Sequence, residues 1–337
     1  MGSREHPSVT FPAAVLAIDG GNSKTDVALV ATDGTLLART RGPAAPAPTV
    51  GMDECLRILG ELTAKVAHDA GLSLGDGPIA QHTAAYLAGV DIPQEEAQMC
   101  QALSAQGWSA TTAVDNDTFA VFRAGTMNHW GVGVVSGAGI NACGIGKDGT
   151  RARYLAIGET TGDFGGGGDL SNAMIWWAFR AEDGRERPTA MLAAILDHYG
   201  LPSMHDVAIA LHLGDITTDE RLDLTRVLFR VAAETADPIA VSLVDRQARE
   251  VAVMARQLLR RLDLIDVETD VVLGGGVLTS RDPMLTRLIT QWMAREAPHG
   301  RMTFNDVPAV TGAALLGFDH LGIGRQAEER LRADMRF

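Results

Sequence analysis

A pattern of strand, glycine turn, strand and Asp-Gly-Thr turn occurs twice in this chain and constrains its fold more than any other feature. In the first copy an apolar strand runs into Asp19, and the Asp-Gly-Thr turn begins at Asp33. In the second copy a strand ends at Ser136, and the Asp-Gly-Thr turn begins at Asp148. The spacing between the two turns is nearly the same in both copies. The pattern predicts a duplicated α/β unit, and chance similarity between two glycine hairpins is the alternative.

Strands and helices alternate over most of the remaining sequence. With 337 residues, the chain is long enough for two domains. We expect an N-terminal α/β domain over residues 1–124 and a C-terminal α/β domain over 125–319. A charged C-terminal helix over 320–337 can pack back on the first domain.

Composition and charge limit the kinds of molecule that this chain is expected to bind. The net charge is −13 and no block of basic residues occurs, so nucleic acid and anionic membranes are poor candidates. The cysteines Cys55, Cys100 and Cys143 lie far apart and show no metal-ligand spacing. Residues 1–6 show no signal-peptide pattern, and no apolar run reaches transmembrane length. We expect a cytoplasmic protein with a small-molecule ligand, and a homodimer is compatible with the sequence.

The first glycine turn brings together groups that bind anions. Gly20, Gly21 and Asn22 tolerate positive φ, as a two-residue hairpin turn needs, and the successive amides of such a turn form a concave anion site. Asp19 could hold a hydrated Mg²⁺ beside that anion, because Mg²⁺ prefers one or two carboxylates plus phosphate oxygens. The alternative is an ordinary hairpin with an Asp at its end.

Three more glycine turns adjoin predicted strands or helices. They cover residues 137–139, 165–168 and 274–276. None matches the phosphate-binding loop or the dinucleotide fingerprint of other nucleotide folds. Two of the four turns could face each other across a cleft and surround a nucleotide's phosphates. A third could contact the flat base with its backbone, because glycine has no side chain.

The ordered set of turns resembles the nucleotide-binding sites of the actin/hexokinase/heat-shock-70 ATPase superfamily. Within it the chain is most similar, over residues 15–318, to the BadF/BadG/BcrA/BcrD ATPase family, which includes the N-acetylglucosamine kinases. The resemblance implies a duplicated ribonuclease-H-like fold of two domains with a nucleotide cleft between them, and ATP and Mg²⁺ as cofactors. It assigns these residues to the nucleotide: Gly20, Gly21, Asn22, Ser23, Lys24, Thr25, Gly137, Ala138, Gly139, Gly274, Gly275 and Gly276.

The resemblance also implies catalytic and acceptor-binding residues. Asp115 matches the family's catalytic aspartate, the general base for the accepting hydroxyl, and Asp19 falls at the metal end. Gly139, Asn141 and Asp163 match positions that touch the sugar. From the residues alone, Asp115 could instead cap a helix, Asn141 could end an edge strand, and Asp163 could stabilise a glycine turn.

Three positions depart from the family's sugar kinases, which leaves the acceptor open. Phe164 stands where the vertebrate kinases keep an acid, a proline-rich loop over residues 43–48 replaces one with a sugar-binding Asn, and Ala138 replaces a hydroxyl residue. We expect an ATP-dependent kinase for an amino sugar such as N-acetylglucosamine or glucosamine. The alternatives are an ATPase activator subunit with an iron–sulfur cluster, and a non-enzymatic nucleotide-sensing module.

Overall fold

The chain divides into two compact units, each built on one mixed sheet. The computed structural model describes residues 11–336, so the expectation for the first six residues lies outside the described part. One unit comprises Met1–Met127 with Val307–Phe337, and the other comprises Asn128–Asp306. Both sheets have five strands connected in the same way, which confirms the duplicated α/β fold.

The first sheet has the order β3-β2-β1-β4-β5. The first three strands pair antiparallel as a meander, and β4 and β5 add in parallel. Every residue of β1 and β2 is buried, as their near-continuous apolar sequences predict. The strands are β1 (Ala13–Gly20), β2 (Thr25–Val30), β3 (Leu36–Gly42), β4 (Ala80–Leu87) and β5 (Ser109–Asn116).

The second sheet repeats this topology in the order β10-β9-β6-β7-β8. Strands β6, β7 and β8 form the antiparallel meander, and β9 and β10 pair in parallel. Parallel strands end at the same edge of a sheet, so the loops after β6 and β9 are neighbours. The strands are β6 (Gly131–Ser136), β7 (Ile140–Ile145), β8 (Arg151–Arg153), β9 (Thr269–Gly274) and β10 (Gly300–Phe304).

Helices cover the sheets of both units. The second unit contains more of them, including two that the sequence analysis did not resolve, α6 and α7. The first unit has α1 (Ala47–Val50), α2 (Met52–Asp69), α3 (Pro93–Ser104), α4 (Thr118–Gly125), α13 (Ala309–Leu321) and α14 (Arg325–Asp334). The second unit has α5 (Gly166–Glu182), α6 (Ala190–Tyr199), α7 (Met204–Leu213), α8 (Thr218–Leu222), α9 (Leu224–Thr235), α10 (Pro238–Arg261), α11 (Gly276–Thr279) and α12 (Pro283–Glu296).

Helix α13 lies in the first unit, whereas the sequence analysis placed it in the second domain. Two glycines explain this position, because each lets the helix approach a neighbour directly. A Cβ on Gly312 would lie 1.8 Å from the Ala120 carbonyl oxygen of α4, and one on Gly317 would lie 2.7 Å from the Val15 side chain of β1. The apolar pattern of α13 reveals a buried helix but not the sheet on which it packs.

The C-terminal helix α14 is held to α4 by buried ion pairs. Arg123 of α4 donates to both carboxylate oxygens of Glu328 and of Asp319. Arg332 donates to Glu328 and to the carbonyl oxygens at the end of α4. Within residues 11–336, no helix combines the length and apolar character needed to cross a bilayer.

Candidate active site

A row of polar side chains crosses the carboxyl end of the first sheet. The strand register pairs Arg41 with Asp26, Asp26 with Asp19, Asp19 with Tyr86, and Tyr86 with Asp115. Paired residues on adjacent strands present their side chains on the same face of a sheet. The fold therefore gathers three carboxylates along one row, at the edge where α/β proteins usually bind ligands.

Asp26 is an interior member of this row. Its side chain is buried and accepts two hydrogen bonds from Arg41, at 2.8 and 3.0 Å. The Lys24 ammonium lies 3.3 Å from the same carboxylate. Asp26 thus fixes Lys24 and Arg41 beside the turn that follows Asp19.

Asp19 is buried among acidic groups. Burial, and next the charge of Asp117, raise its pKa to about 8, with Asp26 adding to the effect and Lys24 and Arg41 opposing it. A buried carboxylate in acidic surroundings is stabilised by a cation. The Asp19 carboxyl therefore fits the role of a Mg²⁺ ligand.

Asp117 is a further carboxylate of this group, and its charge acts on Asp19. It is half-buried at the N-cap position of α4, but its side chain makes no capping hydrogen bond. Burial, and next the charge of Asp91, raise its pKa to about 7. A carboxyl group with a pKa near neutrality is well suited to take a proton from a hydroxyl.

Asn116 caps α4 through Thr118 and also binds Val90 and Asp91, which follow β4. Its Oδ1 accepts from the Thr118 amide at 3.1 Å and from the Thr118 hydroxyl at 2.6 Å. Its Nδ2 donates to the Val90 carbonyl oxygen at 3.3 Å and to Asp91 Oδ1 at 2.8 Å. The side chain that caps α4 is therefore that of Asn116 and not that of Asp117.

Asp115 lies within β5 and is half-buried. Its Oδ1 accepts a hydrogen bond from the amide of Asn116 at 2.7 Å. It shares the polar row with Asp19 but is separated from it by β4, on which Tyr86 occupies the intervening position. The carboxylate whose charge raises the pKa of Asp19 most is Asp117, followed by Asp26.

The first glycine turn differs from the hairpin that the sequence predicted. Gly20 pairs with Thr25, and the turn between them has four residues, closed by a hydrogen bond from the Gly21 amide to the Lys24 carbonyl oxygen at 2.9 Å. Among the described residues, positive φ does not occur at Gly20, Gly21 or Asn22. A longer turn does not need the left-handed backbone of a two-residue turn. Asn22, Ser23 and Lys24 are exposed in it.

Thr25 follows this turn and carries an unpaired hydroxyl. Its side chain is fully buried, and within residues 11–336 its Oγ1 has no hydrogen-bond partner. Thr25 pairs with Gly20, one residue from the pair of Asp26 and Asp19, so its side chain lies on the other face of the sheet from those two carboxylates. The fit of this end of the sheet to Mg²⁺ therefore rests on Asp19 and not on Thr25.

Three glycine turns pack against one another in the second unit. The turn after β6 is closed by a bond from the Gly137 amide to the Gly139 carbonyl oxygen, and Ala138 and Gly139 are exposed. A Cβ on Gly166 would lie 2.4 Å from the Gly139 carbonyl oxygen, and one on Gly275 would lie 2.4 Å from that of Ser136. Both glycines have positive φ, +79° and +81°. Their missing side chains allow the backbones to meet here.

Helix α5 starts inside this cluster, at Gly166. The first amides of α5 are satisfied by neighbouring groups, because the Gly167 amide donates to the Gly137 carbonyl oxygen and the Gly168 amide to that of Ala138. The Gly165 amide donates to Asp169. These bonds hold the turn after β6 from behind and leave its outer face open, since a Cβ on Gly137 or Gly139 would meet no atom within 4 Å.

The expected acceptor residues belong to the same unit. Asn141 is half-buried on β7 opposite Val135, and its Oδ1 accepts from the Ala142 amide at 2.7 Å. Asp163 is half-buried, and one of its oxygens accepts from the Thr161 hydroxyl and from the Gly158 amide. Asp163 therefore stabilises its own turn, the alternative that the sequence left open, and a sugar-binding role would fall to its other oxygen.

Phe164 and the proline-rich loop, which depart from the sugar-kinase pattern, each contact a neighbouring residue. The guanidinium of Arg246, on α10, lies 3.4 Å from the centroid of the Phe164 ring. In the proline-rich loop, Pro48 packs against Gly89, where a Cβ would lie 2.6 Å from the proline ring. Both segments are thus fixed by contacts within their own unit.

The duplicated sheets, the acidic row and the glycine turns define an actin-like ATPase fold, and solved sugar-kinase structures share it. A structure from Chromobacterium violaceum, provisionally assigned as an N-acetylglucosamine kinase, superimposes with a TM-score of 0.69 at 22% identity and covers 90% of this chain and 99% of its own. The ROK hexokinase of Thermus thermophilus gives a TM-score of 0.57 at 20% identity, with 92% and 99% covered.

The chain belongs to the BadF/BadG/BcrA/BcrD ATPase family, whose model matches residues 16–317. It is 27% identical to an N-acetylmuramic acid/N-acetylglucosamine kinase of Clostridium acetobutylicum, over 79% of this chain and 86% of the relative. It is 21% identical to an N-acetyl-D-glucosamine kinase of Dictyostelium discoideum, over 90% and 97%.

Proposed function

We propose that the protein is an ATP-dependent kinase that transfers the γ-phosphoryl group to a hydroxyl of an N-acetylated amino sugar. The observation that carries the proposal is the buried Asp19 carboxyl, whose pKa is raised by burial and next by the charge of Asp117, the residue that follows β5. Asp19 is suited to hold a cation, and Asp117 is suited to take the proton of a hydroxyl. The activities named for the relatives support the same reaction.

Mg²⁺ would be held by Asp19 and by the nucleotide. The described residues contain no group of three or more His, Cys, Asp or Glu side chains that could hold a metal. Mg²⁺ commonly binds with one or two carboxylates, phosphate oxygens and water, so one protein carboxylate is sufficient. The bound ion would neutralise charge on the transferring phosphoryl group.

The general base in this proposal is Asp117, and the structure favours it over Asp115. Asp117 follows the end of β5, and its side chain is not used as a cap. Asp115 lies inside the strand and bonds to the next amide. The base would accept the proton of the sugar hydroxyl as the new P–O bond forms.

The turns after β6 and β9 would bind the nucleotide, with the amides of Gly137, Ala138 and Gly139 on the phosphates. Gly274, Gly275 and Gly276 would border the adenosine. Asn141, Gly139 and Asp163 would contact the sugar. An amide and a carboxylate together offer the donors and acceptors that sugar hydroxyls need.

The cysteines give no support to an activator subunit with an iron–sulfur cluster. Cys55 and Cys143 are buried, and the thiol of Cys100 donates to the Thr112 carbonyl oxygen. An ATP-coupled assay over a panel of hexoses and hexosamines, with and without N-acetyl groups, tests the proposed activity. Sugar-dependent ADP formation supports it, and ATP hydrolysis that is indifferent to every sugar refutes it.

A further inference from the structure

Gln247 stands out within α10. Among the buried residues of this helix, all of which the structure describes, it is the single polar one. A buried amide is costly unless its hydrogen bonds are satisfied. The position of Gln247 is therefore explained by what the amide binds.

The Gln247 amide connects two segments of the glycine cluster. Its Nε2 donates to the Ser136 hydroxyl at 3.3 Å, and its Oε1 accepts from the Gly166 amide at 3.0 Å. Ser136 ends β6 immediately before the turn over residues 137–139. Gly166 begins α5, shortly after Asp163. Gln247 thus joins the base of the turn to the start of the helix behind it.

The surrounding backbone is shaped to receive this side chain. A Cβ on Gly165 would lie 2.8 Å from Gln247 Oε1. On the other side of Ser136, a Cβ on Gly275 would lie 2.4 Å from the Ser136 carbonyl oxygen. Ser136 is therefore confined between a glycine backbone and the Gln247 amide.

We propose that Gln247 is a positioning residue that holds the turn after β6 in the conformation that binds the nucleotide's phosphates. This inference rests on the proposed function, which assigns that turn to the phosphates. The carbonyl oxygens of Gly137 and Ala138 are fixed by α5, and Gln247 fixes Ser136, where the turn begins. Turn amides that are fixed before the ligand arrives need no reorganisation on binding.

The test compares Gln247→Met with Gln257→Met, a control on the same helix. Methionine is similar in length but forms neither hydrogen bond. For Gln247→Met we expect the Kd of the Mg²⁺–ATP complex, measured by calorimetry, to rise about tenfold, the effect of one lost hydrogen bond of this kind. The sugar KM should change less than the ATP KM, and Tm should stay close to that of the control.

A double-mutant cycle with Ser136→Ala provides the readout that a merely structural role would not produce. If Gln247 acts through Ser136, the second substitution should have little further effect. The Kd of the double variant should then exceed that of Ser136→Ala by much less than tenfold. Full additivity of the two effects on Kd, or an unchanged Kd in folded Gln247→Met, would overturn the proposal. So would equal weakening of both substrates together with a large fall in Tm.

If Gln247→Met does not fold, Gln247→Glu takes its place, because it retains the length and the acceptor for Gly166. It should fold and bind nucleotide more weakly than the wild type, and unchanged affinity would contradict the proposal. Nucleotide binding separates this inference from the kinase assignment. Wild-type protein that binds ATP but phosphorylates no sugar would refute only the kinase, whereas wild-type protein that binds no nucleotide would refute both.

Discussion

The charge of Asp117 acts on Asp19 at the carboxyl edge of the first sheet, where burial and then this charge raise the pKa of Asp19 to about 8. Asp19 therefore favours a nearby cation, and Asp117, whose pKa burial and then Asp91 raise to about 7, is suited to accept a proton. In the proposed reaction the cation comes with the nucleotide, and the proton comes from the sugar hydroxyl.

The base can be identified by comparing two variants. Asp117→Asn should lower kcat by about 10²–10⁴, the usual contribution of a general base, and leave the Kd of the nucleotide nearly unchanged. Asp115→Asn should retain far more activity. Steady-state kinetics on both purified variants measures this, and the reverse order of activities would return the base to Asp115.

Asp19 should release a proton when Mg²⁺ and nucleotide bind. Below pH 8 its carboxyl is largely protonated in the free protein, because its pKa is about 8, and a metal ligand must be ionised. Calorimetry near pH 7 in buffers of different ionisation enthalpy should detect release of up to about one proton per nucleotide bound. The control is Asp19→Asn, which should lose this component; equal release from the variant would assign the proton to another group.

The same pKa predicts how stability depends on pH without ligands. The folded state retains a proton on Asp19 that the unfolded state loses near the ordinary pKa of 3.8. The contribution of Asp19 to the free energy of unfolding is therefore complete below about pH 4 and is lost as pH rises to about 8. Relative to Asp19→Asn, the wild type should lose stability over that range in urea titrations, and parallel pH profiles would contradict the shift.

We expect Gly21 to be needed for nucleotide binding and not for the stability of the fold. A Cβ at this position would meet only the Lys24 carbonyl oxygen, at 3.5 Å, which is an ordinary contact, whereas a Cβ on Gly20 would lie 2.7 Å from Leu87. Gly21→Val should retain its Tm and weaken nucleotide binding about tenfold or more, through obstruction of the turn amides. Gly20→Val, the comparison, should lose stability as well. Unchanged ATP affinity in Gly21→Val would remove the turn from the site.

The pairing of α14 with α4 should be important for stability. Glu328 accepts from Arg123 and Arg332, and its side chain is 5% exposed. Glu328→Ala should cost about 3–5 kcal/mol, because it leaves the buried guanidinium of Arg332 without its carboxylate and Arg123 with Asp319 alone. Glu329→Ala, which removes an exposed pair with Arg325, should cost at most about 1 kcal/mol. Equal unfolding midpoints in denaturant would show that α14 contributes little.

The sequence predicted the duplication because local chemistry determines it. The glycine turns and the two Asp-Gly-Thr turns mark strand ends, and both meanders formed as the pattern indicated. The placement of α13 could not be predicted in this way. It depends on Gly312 and Gly317 meeting backbone and side chains that are distant in sequence.

The motifs indicated where to look for a site, but the contacts of individual residues depend on the fold. The position of Asp19 at the end of a strand is visible in the sequence, whereas the contact of Asp26 with Arg41 across β2 and β3 is determined by strand register. The choice between Asp115 and Asp117 depends on which side chain caps α4, and that follows from Asn116. Gln247 was missed because it lies in an amphipathic helix with many polar residues, where the one available signal was a polar residue at a position of the buried face.

The most direct test of the account is the rate of ADP formation by the wild-type protein with Mg²⁺ and ATP, measured with and without N-acetylglucosamine. The account predicts a low rate without sugar and a large increase with it, and the increase should disappear in Asp117→Asn. A rate that is the same with and without this sugar and the other hexosamines would contradict the assignment of the protein as a sugar kinase.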